Sequence, residues 1–181
     1  MLNHHSVFTA FLDSELLDAD VAAFHCSAGP VLGHGLFVVE RRSGLGNWIA
    51  HLLRLPSSGP RVPVSLSIIR DCDGETWTRQ FGSHTFSTRH TSSDGWLTER
   101  RGIVRVRLLA EHRSGALILR SVDTTLGIGR IRLKVPRQLS PNICAEVSGG
   151  PERYSVNVTV DVANDLTGSL VRYYGVLKIG T

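Results

Sequence analysis

The sequence contains very little lysine. Of its 20 basic residues, only Lys134 and Lys178 are lysines, and the rest are arginines. Arginine binds carboxylates and phosphates through paired hydrogen bonds, so an arginine-rich chain raises the question of nucleic-acid binding. These arginines are spread along most of the chain, and the formal net charge is only +4. We therefore expect no nucleic-acid partner.

Long hydrophobic runs are also missing. A membrane-spanning helix needs roughly 18 or more consecutive apolar residues, and no stretch of this sequence approaches that length. Residues 1–5 lack the basic region and the apolar stretch of a secretion signal. We therefore expect no membrane span and a cytoplasmic location.

Cysteine is scarce, and its three copies are far apart: Cys26, Cys72 and Cys144. No two of them form a Cys-x-x-Cys pair, so neither a zinc ribbon nor a redox motif is indicated. One disulfide with one free thiol remains open. Three reduced thiols fit a cytosolic chain better.

The motifs of cofactor-dependent enzymes are absent as well. Gly33-x-Gly35 and the similar glycine pairs lack the third glycine of a dinucleotide-binding fingerprint. There is no phosphate-binding loop and no Gly-x-Ser-x-Gly nucleophile motif. The eight histidines include no pair spaced to share a metal ion on one helix. We expect no cofactor and no metal.

What the chain does contain is typical of one β-rich domain spanning residues 1–181. Apolar residues at helical spacing predict two lid-like helical elements, at about 6–24 and 45–55. Between them, residues 36–40 predict a short strand. From residue 61 onward, apolar and polar residues alternate with the period of two that indicates β-strands.

Turn signals divide this second region into strands. Asp73-Gly74, Asp94-Gly95 and Ser114-Gly115 are typical of hairpin turns. Roughly nine or ten strands separated in this way indicate an all-β sandwich or barrel. Successive hairpins with one apolar face favour a mainly β fold, an antiparallel meander that forms a curved sheet or a closed, calycin-like barrel.

The segment Trp77-Thr78-Arg79-Gln80-Phe81-Gly82 gives the first candidate site residues. Alternate residues of a strand share a face, so Arg79 lies between Trp77 and Phe81 on the face expected to be buried. A buried guanidinium needs a partner because an unpaired buried charge is costly. The candidate partners are a ligand or an acidic residue: Glu99, Glu146 or Asp123. Arg79 faces outward instead if a helix covers the two aromatic rings.

Other candidates lie elsewhere in the chain. Tyr173 and Tyr174 are adjacent on the last predicted strand, so only one of them can face a cavity. Its hydroxyl could donate a hydrogen bond to a ligand carbonyl. His25 ends the first helical region and is a candidate acid or base. Phe86 and Trp48 are candidate apolar contacts for a ligand.

Several segments resemble an uncharacterised bacterial domain family, whose members occur alone or fused to saccharopine-dehydrogenase-like reductases. The matching segments are Phe24-His25, Leu55-Pro56, Trp77 to Gly82, Phe86-Ser87, Glu99-Arg100-Arg101-Gly102, Pro136 through Leu139 to Pro141, and Tyr173-Tyr174-Gly175. The resemblance covers nearly the whole chain. It implies work on the same small molecule as the reductase, and it supplies no catalytic residues.

Together these observations predict a β-barrel that binds a mostly apolar small organic metabolite. Cofactor-independent cyclisation or isomerisation is one form of this hypothesis, with Arg79, Glu99, His25 and Tyr173 as catalytic residues. The predicted ligand contacts are Trp48, Trp77, Phe81, Phe86 and Tyr174. The alternatives are a non-catalytic carrier and a protein-interaction domain that partners a reductase. A homodimer is left open.

Overall fold

The computed structural model describes residues 6–42, 44, 46–47, 50, 55–128 and 131–180. Within these residues there are eleven strands, one α-helix and two short 3-10 turns. The strands are β1 (Val31–Arg41), β2 (Gly59–Asp71), β3 (Gly74–Phe81), β4 (His84–Ser93), β5 (Trp96–Arg101), β6 (Val104–Arg113), β7 (Ala116–Ile128), β8 (Ile131–Lys134), β9 (Asn142–Gly149), β10 (Ser155–Asn164) and β11 (Gly168–Gly180). The helix α1 spans Ala19–Cys26, and the 3-10 turns span Val7–Ala10 and Ser14–Leu16.

The described strands close into a ten-stranded antiparallel barrel. Around the barrel the order is β1, β2, β3, β4, β5, β6, β7, β9, β10 and β11, and β11 pairs with β1 to complete the ring. The short β8 pairs with the last residues of β7, beyond the part of β7 that pairs with β9. The predicted antiparallel meander and its closure into a barrel are therefore confirmed.

The N-terminal segment lies at one end of this barrel, which we call the helical end. The backbone N–H of Asp18 donates to the carbonyl of Gly115 over 2.8 Å, and the Asp18 carboxylate accepts from the N–H of Gly149 over 3.1 Å. The Asp20 carboxylate accepts from the N–H of Tyr154 over 3.2 Å. We call the opposite end, which carries the turns at residues 82–83, 102–103 and 165–167, the cavity end.

The helical element predicted at about 6–24 corresponds in the structure to two 3-10 turns followed by α1. The side chain of Ser6 caps the first 3-10 turn, and the side chain of Asp13 accepts from the N–H of Glu15 and starts the second. Such local side-chain bonds compete with a continuous helix. The second predicted helix, 45–55, falls largely outside the described residues. In the described part of the chain, no helix is long and apolar enough to cross a membrane.

The first barrel strand is longer than the sequence indicates, because β1 covers Val31–Arg41 and not only residues 36–40. The sequence does not show where β1 begins, because Gly33 and Gly35 occupy two inward positions and interrupt the alternation of apolar side chains. A Cβ at Gly35 would lie 2.1 Å from the carbonyl oxygen of Val176 on β11. Glycine at this position therefore permits the close approach of β1 to β11 that closes the barrel.

The predicted hairpin turns are present. Asp94 and Gly95 have φ of 53° and 75°, and Ser114 and Gly115 have φ of 50° and 82°. Two successive residues in the left-handed region match the twist of the flanking strands and keep the hairpin tight. These turns fix the register that directs the apolar side of each strand inward.

The barrel interior at the helical end is filled by aromatic side chains. Phe8 and Phe24 from the N-terminal segment lie 5.8 Å and 5.6 Å from the Trp77 ring, measured between ring centroids. His25 and His90 lie 5.6 Å and 5.1 Å from the same ring. This packing closes one end of the barrel.

Candidate functional site

A cavity of about 350 Å³ occupies the barrel interior toward the cavity end. Its volume lies within the range of roughly 300–1,000 Å³ that is usual for small-molecule sites. Leu55 and Pro56, which precede β2, and Pro141, which precedes β9, also contribute to its lining. The space is therefore bounded by the barrel wall and by segments that connect its strands.

One wall of this cavity is aliphatic. It is formed by the inward side chains of β6, β7, β9 and β10: Val104, Val106, Leu108, Leu119, Ile143, Ala145, Val160 and Val162. Strand pairing places these residues opposite one another, as with Ala145 and Val160. The alternating pattern of the sequence thus produces a continuous apolar surface inside the barrel.

A facing wall carries the polar groups. It is built on β3, β4 and β5 and completed by β11: Arg79, Phe86, Thr88, Glu99, Arg101 and Tyr173. We call these six residues the polar wall. Arg79 is paired with Phe86 in the register of β3 and β4, so both side chains point into the same part of the interior.

Arg79 makes the contacts that a buried guanidinium requires. Its Nη1 donates to the hydroxyl of Thr88 over 2.8 Å and lies 3.7 Å from Oε1 of Glu99. The guanidinium carbon lies 5.0 Å from the Trp77 ring and 5.7 Å from the Phe86 ring. Arg79 therefore faces inward, with Glu99 as its acidic partner.

The other two acidic candidates lie elsewhere. Asp123 accepts hydrogen bonds from Arg107, and Lys134 lies near it on the outer face. Glu146 is exposed on β9. Of the three acidic partners considered for Arg79, the structure thus selects Glu99.

Glu99 is held in its ionised form. Burial by itself would raise the pKa of this carboxyl, but His90, the Arg79 guanidinium, the Thr88 hydroxyl and Arg101 together lower it below its usual range. His90 Nε2 lies 3.7 Å from Glu99 Oε1. Burial lowers the pKa of His90 to about 4, so the imidazole is neutral at pH 7. Near neutrality, the carboxylate is therefore stabilised by the two guanidiniums and the hydroxyl.

Tyr173 supplies a hydroxyl to the polar wall from β11. Its ring lies 5.0 Å from Phe81 and 6.4 Å from Phe37, which fix its orientation. Burial raises the pKa of Tyr173, so the phenol stays protonated and can donate a hydrogen bond. Adjacent Tyr174 is directed to the outer face, where its hydroxyl lies 3.4 Å from Glu40 Oε1. Tyr173 is thus the member of the pair that faces the cavity.

Arg101 and Thr88 also belong to the polar wall, although they are not among the site residues predicted from the sequence. The Arg101 guanidinium lies 4.7 Å from the Phe86 ring centroid. Both residues follow from strand alternation, since Arg101 lies two positions after Glu99 and Thr88 two positions after Phe86. Once Glu99 and Phe86 are placed on the inner face, strand alternation therefore predicts that Arg101 and Thr88 lie there too.

Several predicted site residues lie outside the cavity lining. Trp77 and Phe81 are buried inside the barrel on the same face of β3 as Arg79, but neither is among the residues that line the cavity. His25 is enclosed between Phe8 and Phe24, at 5.0 Å and 4.6 Å between ring centroids. Burial lowers the pKa of His25 to about 3, so it is neutral and remote from a ligand in the cavity. Trp48 falls outside the described residues.

A second buried polar cluster lies at the helical end and was not expected from the sequence. Glu75 is completely buried and accepts from Ser6, from the N–H of Val7 over 2.8 Å and from Trp77 Nε1 over 2.9 Å. Arg70 Nε donates to the same carboxylate over 3.3 Å. The bonds from Ser6 and Val7 attach the N-terminal segment to β3, and those from Arg70 and Trp77 hold the carboxylate within the barrel wall. We therefore assign the cluster a structural role.

Among the described residues, a group with the spacing of metal ligands occurs at the turn between β2 and β3: Asp71, Cys72 and Asp73. All three are exposed, and Arg89 donates to both carboxylate oxygens of Asp71 over 2.8 Å and 2.7 Å. The group lies at the helical end, away from the cavity. The three cysteines are unpaired, and Cys72 is exposed.

The fold and the lined interior define this protein as a ten-stranded antiparallel β-barrel with an internal cavity at one end. Residues 17–177 match the family model described as Domain of unknown function (DUF4166), and the chain belongs to that family. An uncharacterised domain therefore covers most of the chain. No curated protein and no solved structure is found to match it.

Proposed function

We propose that the barrel binds a small, mostly apolar organic molecule in its interior. The observation that carries this proposal is the two-sided cavity, with an aliphatic wall facing the polar wall around Arg79 and Glu99. Ligand sites typically combine an apolar lining with a few positioned polar groups. The apolar body of the ligand would pack on the aliphatic wall, and its polar atoms would meet the polar wall.

The size of the cavity supports a ligand rather than an incidental packing defect. Protein interiors are close-packed, and voids much larger than a water molecule are few. A space of about 350 Å³ is roughly twelve times the volume that one water molecule occupies in the liquid. Aromatic rings fill the helical end of the same barrel, so the interior at that end is closely packed, in contrast to the cavity.

Cyclisation or isomerisation of the bound molecule is the second candidate function. It is favoured by one arrangement, because the Tyr173 hydroxyl and the Glu99 carboxylate line the same cavity. Tyr173 or Arg79 could stabilise negative charge on a substrate oxygen, while Glu99 accepts a proton. The lowered pKa of Glu99 makes it a weak base, and His25 lies outside the cavity lining. Binding is therefore the better supported function.

The experiment that tests the binding proposal is native mass spectrometry of freshly purified protein, beside the same sample after denaturation. We expect a discrete added mass that is lost on denaturation, and its formula would identify a class of substrate to test for turnover. The matched variant is Ala145→Phe, which places a ring in the cavity from the aliphatic wall. Loss of the added mass in this variant supports the cavity as the site.

A clean apo mass would be followed by a thermal-shift screen of apolar metabolites on the wild type and Ala145→Phe. Stabilisation of the wild type alone is the expected result. The absence of any shift would contradict the binding proposal and favour a protein-interaction domain, for which the Arg79–Glu99 pair only fixes the sheet register. In that case the cavity would have no small-molecule role.

The resemblance to a domain fused to saccharopine-dehydrogenase-like reductases extends the proposal. A reductase acting on the same molecule would supply or consume the ligand, and this barrel would carry or transform it. The test is whether a molecule released from the barrel is oxidised or reduced by a reductase of that class with a nicotinamide nucleotide.

A further inference from the structure

We infer that the cavity end of the barrel docks on an anionic phospholipid surface through the hairpin of β7 and β8. Residues 125–128 of β7 and 131–134 of β8 form this hairpin, which lies beyond the part of β7 that pairs with β9. We call it the projecting hairpin. The inference goes beyond the proposed function, because it concerns a surface that the protein binds from outside and does not depend on what fills the cavity.

One side of the projecting hairpin is apolar and continues the lining of the cavity. Strand pairing places Leu126 opposite both Val104 on β6 and Leu133 on β8, and directly opposite residues of antiparallel strands share a side of the sheet. Val104 lines the cavity, so Leu126, Leu133 and Ile131 lie on the inner side as well. We call these four residues the apolar ledge. Ile131 and Leu133 are 62% and 54% exposed, so the apolar surface runs from the interior out to solvent.

The opposite side of the projecting hairpin is basic. Arg105 on β6 pairs with Thr125, which pairs with Lys134, and Arg132 lies two positions before Lys134 on β8. Arg132 and Lys134 are exposed. Asp123, whose carboxylate lies 3.8 Å from Lys134 Nζ, already accepts from an arginine of β6. The sequence from 124 to 141 contains no acidic residue, so this side of the hairpin keeps an excess of positive charge.

The helical end of the barrel has the opposite charge. The segments 6–26, 71–74, 94–95 and 150–154 at that end contain Arg153 as their sole lysine or arginine. They carry several exposed carboxylates, among them Asp13, Glu15, Asp73, Asp94 and Glu152. An anionic surface therefore attracts the cavity end and repels the helical end, which orients the barrel with its cavity toward that surface.

A second copy of this chain is the competing occupant of the projecting hairpin. Among the described strands β8 pairs only with β7, so its other edge is free. Pairing two copies of β8 would bring their basic side chains together, and like charges directly opposite one another are destabilising. Basic side chains on an edge strand are a common means of preventing such pairing. A bilayer interface suits both sides of the hairpin, because acyl chains accept the apolar ledge and anionic headgroups accept the basic side chains.

Docking in this orientation would also give an apolar ligand a route into the barrel. A molecule leaving the bilayer would pass along the apolar ledge to Val104 and the aliphatic wall without crossing water. This consequence rests on the proposed function, whereas the docking itself does not.

The test is flotation of the purified protein with vesicles of two compositions. One is phosphatidylcholine alone, and the other is equal parts phosphatidylcholine and phosphatidylglycerol. We expect the protein to float with the anionic vesicles, less so as salt is added, and to bind the neutral vesicles much more weakly.

Two double variants test the two sides of the projecting hairpin separately. Arg132→Gln/Lys134→Gln removes two charges, and each basic residue near an anionic membrane strengthens binding about fivefold, so partitioning into anionic vesicles should fall about 25-fold. Ile131→Gln/Leu133→Gln removes the exposed part of the apolar ledge and should lower the same partitioning by at least about tenfold. All four positions are exposed, so circular dichroism and the melting temperature should match the wild type.

The matched controls change equivalent residues at the helical end. Arg113→Gln/Arg153→Gln removes two exposed charges, and Leu32→Gln/Ile69→Gln removes two exposed apolar side chains. Because these positions lie far from the docked surface and their charges are screened, both variants should partition within about twofold of the wild type.

Several results would overturn the inference. The first is an absence of flotation, equal flotation with neutral and anionic vesicles, or equal losses in the hairpin variants and the controls. A second is a dimer in sedimentation velocity that Ile131→Gln/Leu133→Gln abolishes, without vesicle binding, which would make the hairpin an interface between copies. A third is a loss confined to Arg132→Gln/Lys134→Gln, which would indicate a purely electrostatic contact with an acidic macromolecule. The proposed function would stand in each case, because native mass spectrometry without vesicles measures cavity binding separately.

Discussion

Nη1 of Arg79 on β3 lies 3.7 Å from Oε1 of Glu99 on β5, although the strand β4 lies between them. Thr88 on that intervening strand contributes to the same cluster, because its hydroxyl accepts from Arg79 over 2.8 Å and helps to lower the pKa of the Glu99 carboxyl. Three neighbouring strands thus contribute to one polar cluster inside the barrel. The cluster can serve stability as well as ligand binding, and its stability role can be measured separately.

Arg79→Met should destabilise the protein by about 3 kcal/mol, near the lower end of the range for breaking a buried ion pair. The lower end applies because the Arg79 and Glu99 side chains remain 17% and 19% exposed. The variant removes the guanidinium that lies 3.7 Å from the Glu99 carboxylate, so the double variant Arg79→Met/Glu99→Gln should recover part of the loss. Urea denaturation at pH 7 measures the free energy of unfolding of each.

The matched control for this prediction is Arg89→Met, which breaks the pair between Arg89 and Asp71 outside the cavity. Those side chains are 31% and 48% exposed, so the expected loss is at most about 1 kcal/mol. Equal losses in Arg79→Met and Arg89→Met would show that the interior pair has no special role in stability.

The two buried histidines should make the protein less stable as the pH falls. Burial lowers the pKa of His25 to about 3 and that of His90 to about 4, whereas an unfolded chain has a histidine pKa of about 6.5. The unfolded state therefore binds protons that the folded state does not. Above about pH 6.5 the histidines are neutral in both states, and their effect on the free energy of unfolding does not change with pH. As the pH falls from about 6.5 toward the folded pKa values, the free energy of unfolding decreases.

His25→Phe isolates one of these contributions. Between pH 7 and pH 5, each buried histidine should cost about 2 kcal/mol of the free energy of unfolding, so this variant should lose about 2 kcal/mol less than the wild type. His112→Gln is the control, because His112 is exposed on β6. The same loss in wild type and His25→Phe would mean that His25 is protonated in the folded protein. Urea denaturation at the two pH values gives the comparison.

The sequence predicts those features that depend on local alternation. Trp77, Arg79 and Phe81 share the inner face because every second residue of a strand does, and Glu99 was the acidic candidate that the structure places beside Arg79. The turns at residues 94–95 and 114–115 are equally local, since their left-handed φ values favour these residue types.

Features that depend on pairing distant strands could not be predicted in this way. The role of Glu75 requires Ser6 and Val7, which are 69 and 68 residues away, to fold back onto β3. His25 was a candidate acid or base, yet its position among Phe8, Phe24 and Trp77 follows from how the N-terminal segment closes the barrel. Nothing in the local sequence specifies that contact.

Glu75→Gln should loosen the N-terminal segment and reduce stability by about 3–5 kcal/mol, the cost of leaving a buried partner charge unpaired. Arg70 would keep its bonds to the carbonyls of Phe24 and Gly29 but lose its carboxylate. In hydrogen-exchange measurements, the increase in exchange rate from wild type to variant should be larger in residues 7–10 than in β9. An unchanged free energy of unfolding would mean that this cluster contributes nothing to the attachment. Because the cluster lies outside the cavity lining, the folded variant should keep any added mass that native mass spectrometry detects in the wild type.

The closure of the barrel between β1 and β11 depends on Gly35. A Cβ at this position would lie 2.1 Å from the carbonyl oxygen of Val176, and a backbone atom cannot move away as a flexible side chain can. Gly35→Ala should therefore cost at least about 2 kcal/mol. Gly29→Ala is the matched control, because a Cβ there meets nothing within 4 Å, and its effect should stay within about 0.5 kcal/mol. Thermal and urea denaturation measure the stability of both variants against that of the wild type. Equal stability of the two would show that β1 can shift along β11 without loss, and that the barrel closes by side-chain packing rather than by close backbone approach.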